Sequence, residues 1–140
     1  MSVLAAVLAL PLLFWDKGPE TSDRLRQAQI DHICVPPALA SAWKTSPEIS
    51  VEIKDPGHLA KVATPGVEFR NRMASATRAP WVNSNGWRFL RTPGGQFYYE
   101  APGNASVLAA AEAFTFGVHA AIHTDDAGLE PFGKLLATLR

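Results

Sequence analysis

Carboxylates that follow apolar or aromatic runs are the residues of this chain best suited to chemistry. Asp16 and Glu100 each end such a run, and Asp125 lies just after another. Glycoside hydrolysis needs two carboxyl groups across one cleft, one to donate a proton and one to act as base or nucleophile. We therefore take Asp16, Glu100 and Asp125 as candidate catalytic residues.

Glu100 is the first choice among these three carboxylates. It follows Phe97-Tyr98-Tyr99, and partial burial among aromatic rings would raise the pKa of its carboxyl and suit it to donate a proton. The structural alternative is a rim residue that faces Trp87 or pairs with Arg88. Asp16 has a structural alternative too, because it could cap the turn that follows it.

Aromatic, amide and cationic side chains between residues 81 and 99, together with His123, could hold a carbohydrate. Aromatic faces provide large apolar surfaces, while amides and cations hydrogen-bond to hydroxyl groups. The candidate substrate-binding residues are Trp81, Asn83, Asn85, Trp87, Arg88, Tyr98, Tyr99 and His123. The alternative hypothesis is a non-catalytic ligand-binding or structural α/β domain. In that case the aromatic residues belong to the hydrophobic core, and the polar residues form turns and helix caps.

Other kinds of site have little support in the sequence. His119 and His123 would lie roughly 13 Å apart on a strand, too far to share one metal ion, and no His-Glu-x-x-His motif is present. No Gly-x-Ser-x-Gly elbow, phosphate loop or dinucleotide fingerprint occurs. We therefore predict no metal and no cofactor. The single cysteine, Cys34, lies in an apolar run and is expected to be a buried hydrophobic residue.

The balance of charge limits the partners that the protein can have. Thirteen basic and thirteen acidic residues cancel, so the chain lacks the net positive charge that nucleic acids attract. The first apolar run ends at Asp16, short of the ~20 residues that a membrane-spanning helix needs. We predict no nucleic-acid partner and no membrane span.

The first ten residues are a separate segment. Residues 2–10 are apolar, and Val7-Leu8-Ala9 is a small-residue pattern like that of a signal-peptidase site. We interpret residues 1–10 as the remnant of an export signal, which predicts an extracellular or periplasmic protein. The alternative, a short buried N-terminal helix, predicts a cytoplasmic protein.

Apolar runs alternate with segments of helical periodicity, which predicts an α/β fold with a mostly parallel sheet. The predicted strands are residues 11–16, 30–35, 49–53, 67–69, 80–83 and 118–123. The predicted helices are residues 20–29, 38–44, 58–63, 105–116 and 129–139. The helix at 105–116 should be capped by Asn104 and should turn Val107, Leu108, Ala111 and Phe114 inward.

An aromatic β-hairpin is predicted over residues 87–100. Residues 87–91 and 96–100 are rich in strand formers, and they flank Thr92-Pro93-Gly94-Gly95, which has the composition of a four-residue hairpin loop. A helix capped by Asn85 is the local alternative, because several of the same residues also fit one helical turn.

Successive strand–helix units form either part of a TIM-like barrel or a small open sheet. Phe-Trp-Asp at 14–16, Asn-Gly-Trp-Arg-Phe at 85–89, Phe-Tyr-Tyr-Glu at 97–100 and the helix at 109–114 resemble the N-terminal region of secreted bacterial barrel proteins related to glycoside hydrolases. The resemblance implies a carbohydrate ligand and a single domain at 11–140 that is a fragment or short form of a larger barrel. Such an unfinished sheet is expected to self-associate through an unpaired strand edge.

Overall fold

The computed structural model describes residues 10–68 and 81–139. The strands in this part of the chain are β1 (Leu12–Phe14), β2 (His32–Val35), β3 (Ser50–Ile53), β4 (Ala60–Val62), β5 (Gly66–Glu68), β6 (Trp81–Asn83), β7 (Gln96–Glu100) and β8 (His119–His123). The helices are α1 (Ser22–Gln27), α2 (Ala40–Trp43), α3 (Gly86–Arg91), α4 (Ala105–Phe116) and α5 (Asp126–Leu139). Six strands form an all-parallel sheet in the order β3-β2-β1-β8-β7-β4, and β5 pairs separately with β6. The predicted parallel α/β fold is confirmed.

The helices of the described residues pack on one face of the six-stranded sheet. β1 leads through α1 to β2, β2 through α2 to β3, and β7 through α4 to β8, and each step moves the chain in the same direction across the sheet. Right-handed crossovers then place the connecting helices on the same side. The main core lies between these helices and the sheet, and its fully buried members include Leu13, Ile33, Tyr99, Ile122 and Phe132.

The opposite face of the sheet carries a core cluster without helical residues and is strongly curved. This cluster contains Phe14, Cys34, Tyr98 and Ala121, with Leu12 and Leu59 packed against it. Just after β3, the Lys54 ammonium donates to the side-chain oxygen of Gln96 on β7 at 3.2 Å. β3 and β7 are four positions apart in the sheet order, roughly 19 Å if the sheet were flat. The sheet must therefore curl to bring these two side chains together, and we call this side the concave face.

The sheet curls without pairing its two edges in the described part of the chain. β3 and β4 are these edges, and residues 54–59 connect them. The chain runs through successive strand–helix units, as it does in a TIM-like barrel. The sheet, however, is open between β3 and β4. Edge strands carry backbone groups able to pair with another chain, and self-association through them stays a prediction.

The hairpin predicted over residues 87–100 is wrong. Gly86–Arg91 forms α3, and β7 lies between β4 and β8 in the parallel sheet. The helix turns Phe89 inward, where its ring centroid lies 4.7 Å from that of Phe97 and 5.7 Å from that of Phe116. A strand with two partners satisfies more backbone groups than a strand of an isolated hairpin, so tertiary pairing prevails over the local signal.

Residues 58–63, predicted as a helix, contain the strand β4. Its middle residue, Lys61, is exposed, while Val62 is buried and pairs with Tyr99 on β7. This alternation fits a half-buried strand. The helix prediction failed because the strand that pairs with β4 lies far along the chain.

Helix α4 has its predicted bounds but buries a different face. Its buried residues are Ser106, Ala109, Ala110, Glu112 and Ala113. Leu108, from the predicted apolar stripe, is 50% exposed. Asn104 occupies the N-cap position without a side-chain capping hydrogen bond, and Gly117 ends the helix with a φ of 65°. The small buried side chains allow α4 to lie close to both the sheet and α5.

Helix α5, predicted over residues 129–139, begins at Asp126 and turns an apolar face inward. Phe132 and Leu136 are both buried in the main core. A Cβ added to Gly133 would lie 1.8 Å from the backbone oxygen of Ala28, so only glycine fits where α5 meets the end of α1. This close contact lies at Ala28, the residue that caps the carboxyl end of α1.

Several predictions fall wholly or partly on residues that the structure does not describe. The export signal predicted at residues 1–10 lies outside the described residues apart from Leu10. Residues 69 and 80, the outer ends of two predicted strands, also lie outside them, while β5 and β6 pair antiparallel. Within the described residues, no helix combines the length and the apolar character needed to cross a bilayer.

Candidate active site

Asp16, Glu100 and His123 meet at the carboxyl edge of the sheet. They end or closely follow β1, β7 and β8, and β8 lies between the other two strands. The His123 ring lies between the two carboxylates: its Nδ1 is 2.7 Å from Glu100 Oε2, and its Nε2 is 3.3 Å from Asp16 Oδ2. Three residues that are distant in the sequence thus form one group, which we call the edge cluster.

Strand geometry directs the edge cluster to the concave face. Side chains two residues apart on a strand share a face, and Tyr98 and Ala121, two residues before Glu100 and His123, belong to the concave-face core. Glu100 and His123 are partners in register on adjacent strands, so their side chains lie side by side. The ring of Phe14 meets that of His123 edge-on at 5.8 Å and restricts its orientation.

Tyr98 supports Glu100 from within the core. Its hydroxyl donates a hydrogen bond to the Glu100 carboxylate, and its buried ring packs edge-on against Phe14 at 5.5 Å. Burial and the hydrogen bond to Glu100 raise the pKa of the Tyr98 phenol, so the hydroxyl keeps its proton. The structure therefore places Tyr98 as a fixed hydrogen-bond donor and not as an exposed sugar platform.

The pKa of Glu100 is lowered, which is opposite to the direction expected from the sequence. Partial burial acts to raise this pKa, but hydrogen bonds from Tyr98 and His123, together with the charges of His123 and Lys61, outweigh it. Hydrogen bonds of this kind favour the ionised carboxylate. Glu100 is therefore suited to act as a base or nucleophile and not as a proton donor.

The edge cluster is open to solvent. The side chains of Glu100, Asp16 and His123 are 64%, 45% and 28% exposed. The imidazole ring of His123 lies between the two carboxyls and contacts both of them. The ring can donate to both carboxylates only when both of its nitrogens carry protons. A substrate can thus approach two carboxyls whose separation one ring maintains.

The structure does not place Asp125 in the edge cluster. Its Oδ1 accepts hydrogen bonds from the backbone N–H groups of Gly103 and Gly128, each at 3.0 Å. The bond from Gly103 is the main cause of a lowered pKa of the Asp125 carboxyl. Asp125 thus ties the loop after β7 to the first turn of α5.

Asp125→Ala is expected to lower the urea midpoint of unfolding at neutral pH, because the backbone N–H of Gly103 loses its acceptor and that of Gly128 keeps only the backbone oxygen of residue 125. The folded-state pKa of Asp125 is lowered, so its stabilisation is present above the unfolded pKa and is lost as the pH falls through the folded pKa. The midpoints of wild type and variant should therefore converge in acid. Glu130→Ala, an exposed carboxylate of α5, is the control. Equal midpoints of wild type and Asp125→Ala at neutral pH would contradict the capping role.

Glu112, which the sequence did not suggest as a polar anchor, binds several groups on the helix-covered side of the sheet. It is 8% exposed. It accepts hydrogen bonds from the hydroxyls of Tyr99 (2.6 Å) and Ser84 (3.0 Å), and from the backbone N–H (2.9 Å) and side-chain amide (2.8 Å) of Asn85. The candidates Tyr99 and Asn85 therefore hold the loop before α3 against α4. The sequence feature that could have indicated this role is the position of Glu112, a single carboxylate within the alanine-rich part of α4.

The other predicted binding residues lie on α3 and β6. Trp87 is 78% exposed on α3, and Arg88 on the same helix donates to the backbone oxygen of Lys61 at 3.0 Å. Asn83 ends β6. The side chain of Trp81, which begins β6, lies outside the described residues.

Cys34 is a buried hydrophobic residue, as predicted. It is fully buried, and burial raises the pKa of its thiol to about 12, so it is not a thiolate at neutral pH. Among the described residues, no group of three or more His, Cys, Asp or Glu side chains is arranged to hold a metal ion. The residues of the edge cluster can themselves supply a base, a nucleophile or an acid.

Comparison with protein-family models, with curated proteins and with solved structures gives no match to this chain. The resemblance to barrel proteins related to glycoside hydrolases therefore stays a hypothesis. The function has to be inferred from the geometry of the edge cluster.

Proposed function

We propose that the protein is a glycosidase-like hydrolase that acts on a carbohydrate, with the edge cluster as its catalytic centre. The deciding observation is the pair of carboxylates, Asp16 and Glu100, held on either side of His123. They lie at the carboxyl edge of a parallel sheet wound in one direction, where strand–helix barrels carry their catalytic residues. Two carboxyls across one site are what glycoside hydrolysis requires.

The two carboxyls have different roles in this mechanism. Glu100, whose lowered pKa keeps it ionised, takes a proton from water as that water attacks the anomeric carbon. The bond from this carbon to the leaving oxygen breaks, and that oxygen takes a proton from the carboxylic acid form of Asp16, which is the form that this step requires. His123 contacts both carboxyls and sets their separation, so it is a positioning residue.

Nitrophenyl glycosides that differ in sugar and anomeric configuration test this function. The release of nitrophenolate is followed for the wild type, for Asp16→Asn, for Glu100→Gln and for the control Glu130→Gln on α5. Turnover by the wild type and the control, with a large loss in Glu100→Gln and a smaller loss in Asp16→Asn, is the expected result. Background release that is equal in all of them would overturn the hydrolase assignment and favour the non-catalytic α/β domain.

Tyr98→Phe is expected to move the acid limb of the pH–rate profile to higher pH. The Tyr98 hydroxyl favours the ionised form of Glu100, so its removal raises the pKa of that carboxyl. The basic form is then lost earlier as the pH falls. The measurement is kcat/KM against pH, which reports the ionisation of the free enzyme.

Tyr99→Phe is the matched control for this pH profile. It removes the same hydroxyl from the next residue, whose partner is Glu112 on the other side of the sheet. It should lower stability and leave the acid limb unchanged. An equal displacement of the limb in both variants would show that the effect does not pass through Glu100.

A further inference from the structure

A second concave site is lined by the amino ends of β1, β2, β7 and β8 and, on another wall, by Glu52 and Lys54 from the carboxyl half of β3 and just beyond it. It is a cavity of about 310 Å³. Its apolar wall includes Leu12, Leu59 and Ala121, and its polar wall includes Glu52, Lys54 and Gln96. This volume is at the small end of the ~300–1,000 Å³ typical of ligand pockets, so a small organic molecule is the appropriate occupant.

This cavity is separate from the edge cluster and does not depend on the proposed hydrolase function. On β8, His119 lines the cavity, while His123 of the edge cluster lies roughly 13 Å further along the strand. Tyr98 and Ala121 occupy the level between them and are buried. The concave face therefore has two separate sites.

The hydrogen bonds of the cavity indicate the charge of its ligand. Glu52 is already paired with His32, whose Nε2 lies 2.8 Å away. In contrast, the Lys54 ammonium donates to the neutral amide oxygen of Gln96 at 3.2 Å. A carboxylate is a stronger acceptor for an ammonium group than an amide is. An anionic group beside Lys54 would thus gain a charged partner that the protein itself does not supply in this contact.

We propose that the cavity binds a small molecule with an apolar body and a single carboxylate. The carboxylate accepts from Lys54 Nζ and from the amide NH2 of Gln96, which has two donors of its own. The apolar body lies against Leu12, Leu59 and Ala121. The neighbouring carboxylate of Glu52 has no donor to offer a second carboxylate of the ligand.

Titration with hexanoate and with its uncharged analogue hexanol, followed by NMR chemical shifts, tests this site. Hexanoate should bind saturably, at least about tenfold more tightly than hexanol, because a charge-assisted hydrogen bond is made only by the acid. Lys54→Met should weaken hexanoate binding about tenfold or more and leave hexanol unaffected. Lys134→Met, which removes an exposed lysine of α5, is the matched control and should change neither affinity.

Two more variants separate this site from the edge cluster and from misfolding. Ala121→Leu fills the cavity and should abolish binding of both probes, with the unfolding midpoint as a check of its fold. Glu100→Gln should leave hexanoate binding intact, so a failure of the hydrolase assignment would not affect this result. The proposal is overturned if the wild type shows no saturable binding, if hexanol binds as tightly as hexanoate, or if Lys134→Met weakens binding as much as Lys54→Met.

Discussion

Glu100→Gln is expected to lower the turnover of a nitrophenyl glycoside by about 10²–10⁴-fold, the contribution of a positioned general base. The amide has nearly the same shape as the carboxylate and can still accept a hydrogen bond from Tyr98. It cannot take a proton from water. The loss should therefore appear in kcat at saturating substrate, while the unfolding midpoint changes little.

The leaving group of the substrate distinguishes Glu100 from Asp16. A nitrophenolate leaves with little help from an acid, whereas an alkoxide needs a proton. Asp16→Asn should therefore slow an alkyl glycoside much more than a nitrophenyl glycoside, and Glu100→Gln should slow both to a similar extent. Wild-type turnover in Glu100→Gln would remove Glu100 from the reaction, and Glu130→Gln is the control for loss of an exposed carboxylate.

Glu112→Ala is expected to lower the free energy of unfolding by about 3–5 kcal/mol. The substitution leaves the Tyr99 hydroxyl and the two Asn85 donors without the acceptor that they share. A buried donor that loses its acceptor, as the Tyr99 hydroxyl does here, costs ~1–3 kcal/mol. The half-buried Asn85 contributes less, because its side-chain amide keeps the backbone oxygen of Ala63 as an acceptor, and the costs of neighbouring groups do not add fully. Urea unfolding measures the change.

Glu130→Ala is the matched control for Glu112→Ala, because Glu130 lies on α5 and its side chain is 73% exposed. Its substitution should change stability by no more than about 0.5 kcal/mol. Tyr99→Phe removes one donor of the Glu112 group and should have an intermediate effect. If Glu112→Ala and Glu130→Ala unfolded at the same urea concentration, the hydrogen bonds of Glu112 would contribute nothing to stability.

The sequence predicted the elements whose signal is local. The apolar runs of β2, β3 and β8 and the long helix α4 follow from periodicity within a few residues, and Gly117 marks the end of α4 as expected. Patterns of this kind can be recognised without knowing what an element packs against. This is why the α/β class could be predicted before any tertiary contact was known.

The face that α4 buries and the structure of residues 87–100 depended on partners that are distant in the sequence. The strand signal of β7 was correct, but its neighbours are β4 and β8 and not the segment before it. On α4, the close approach to the sheet and α5 selects small residues and Glu112 for burial and leaves Leu108 exposed. Long-range packing therefore overrode the local pattern.

By itself, the sequence determined which residue types stand at the ends of strands, and Asp16 and Glu100 were among them. Only the tertiary structure decided that they meet, because the strand order β1-β8-β7 brings His123 between them while Asp125 binds the backbone of Gly103. The tertiary structure also decided that the pKa of Glu100 is lowered, because the groups that hydrogen-bond to this carboxylate have a larger effect than its partial burial. Strand order and hydrogen-bond partners are set by contacts between distant segments, which residue spacing along the chain does not encode.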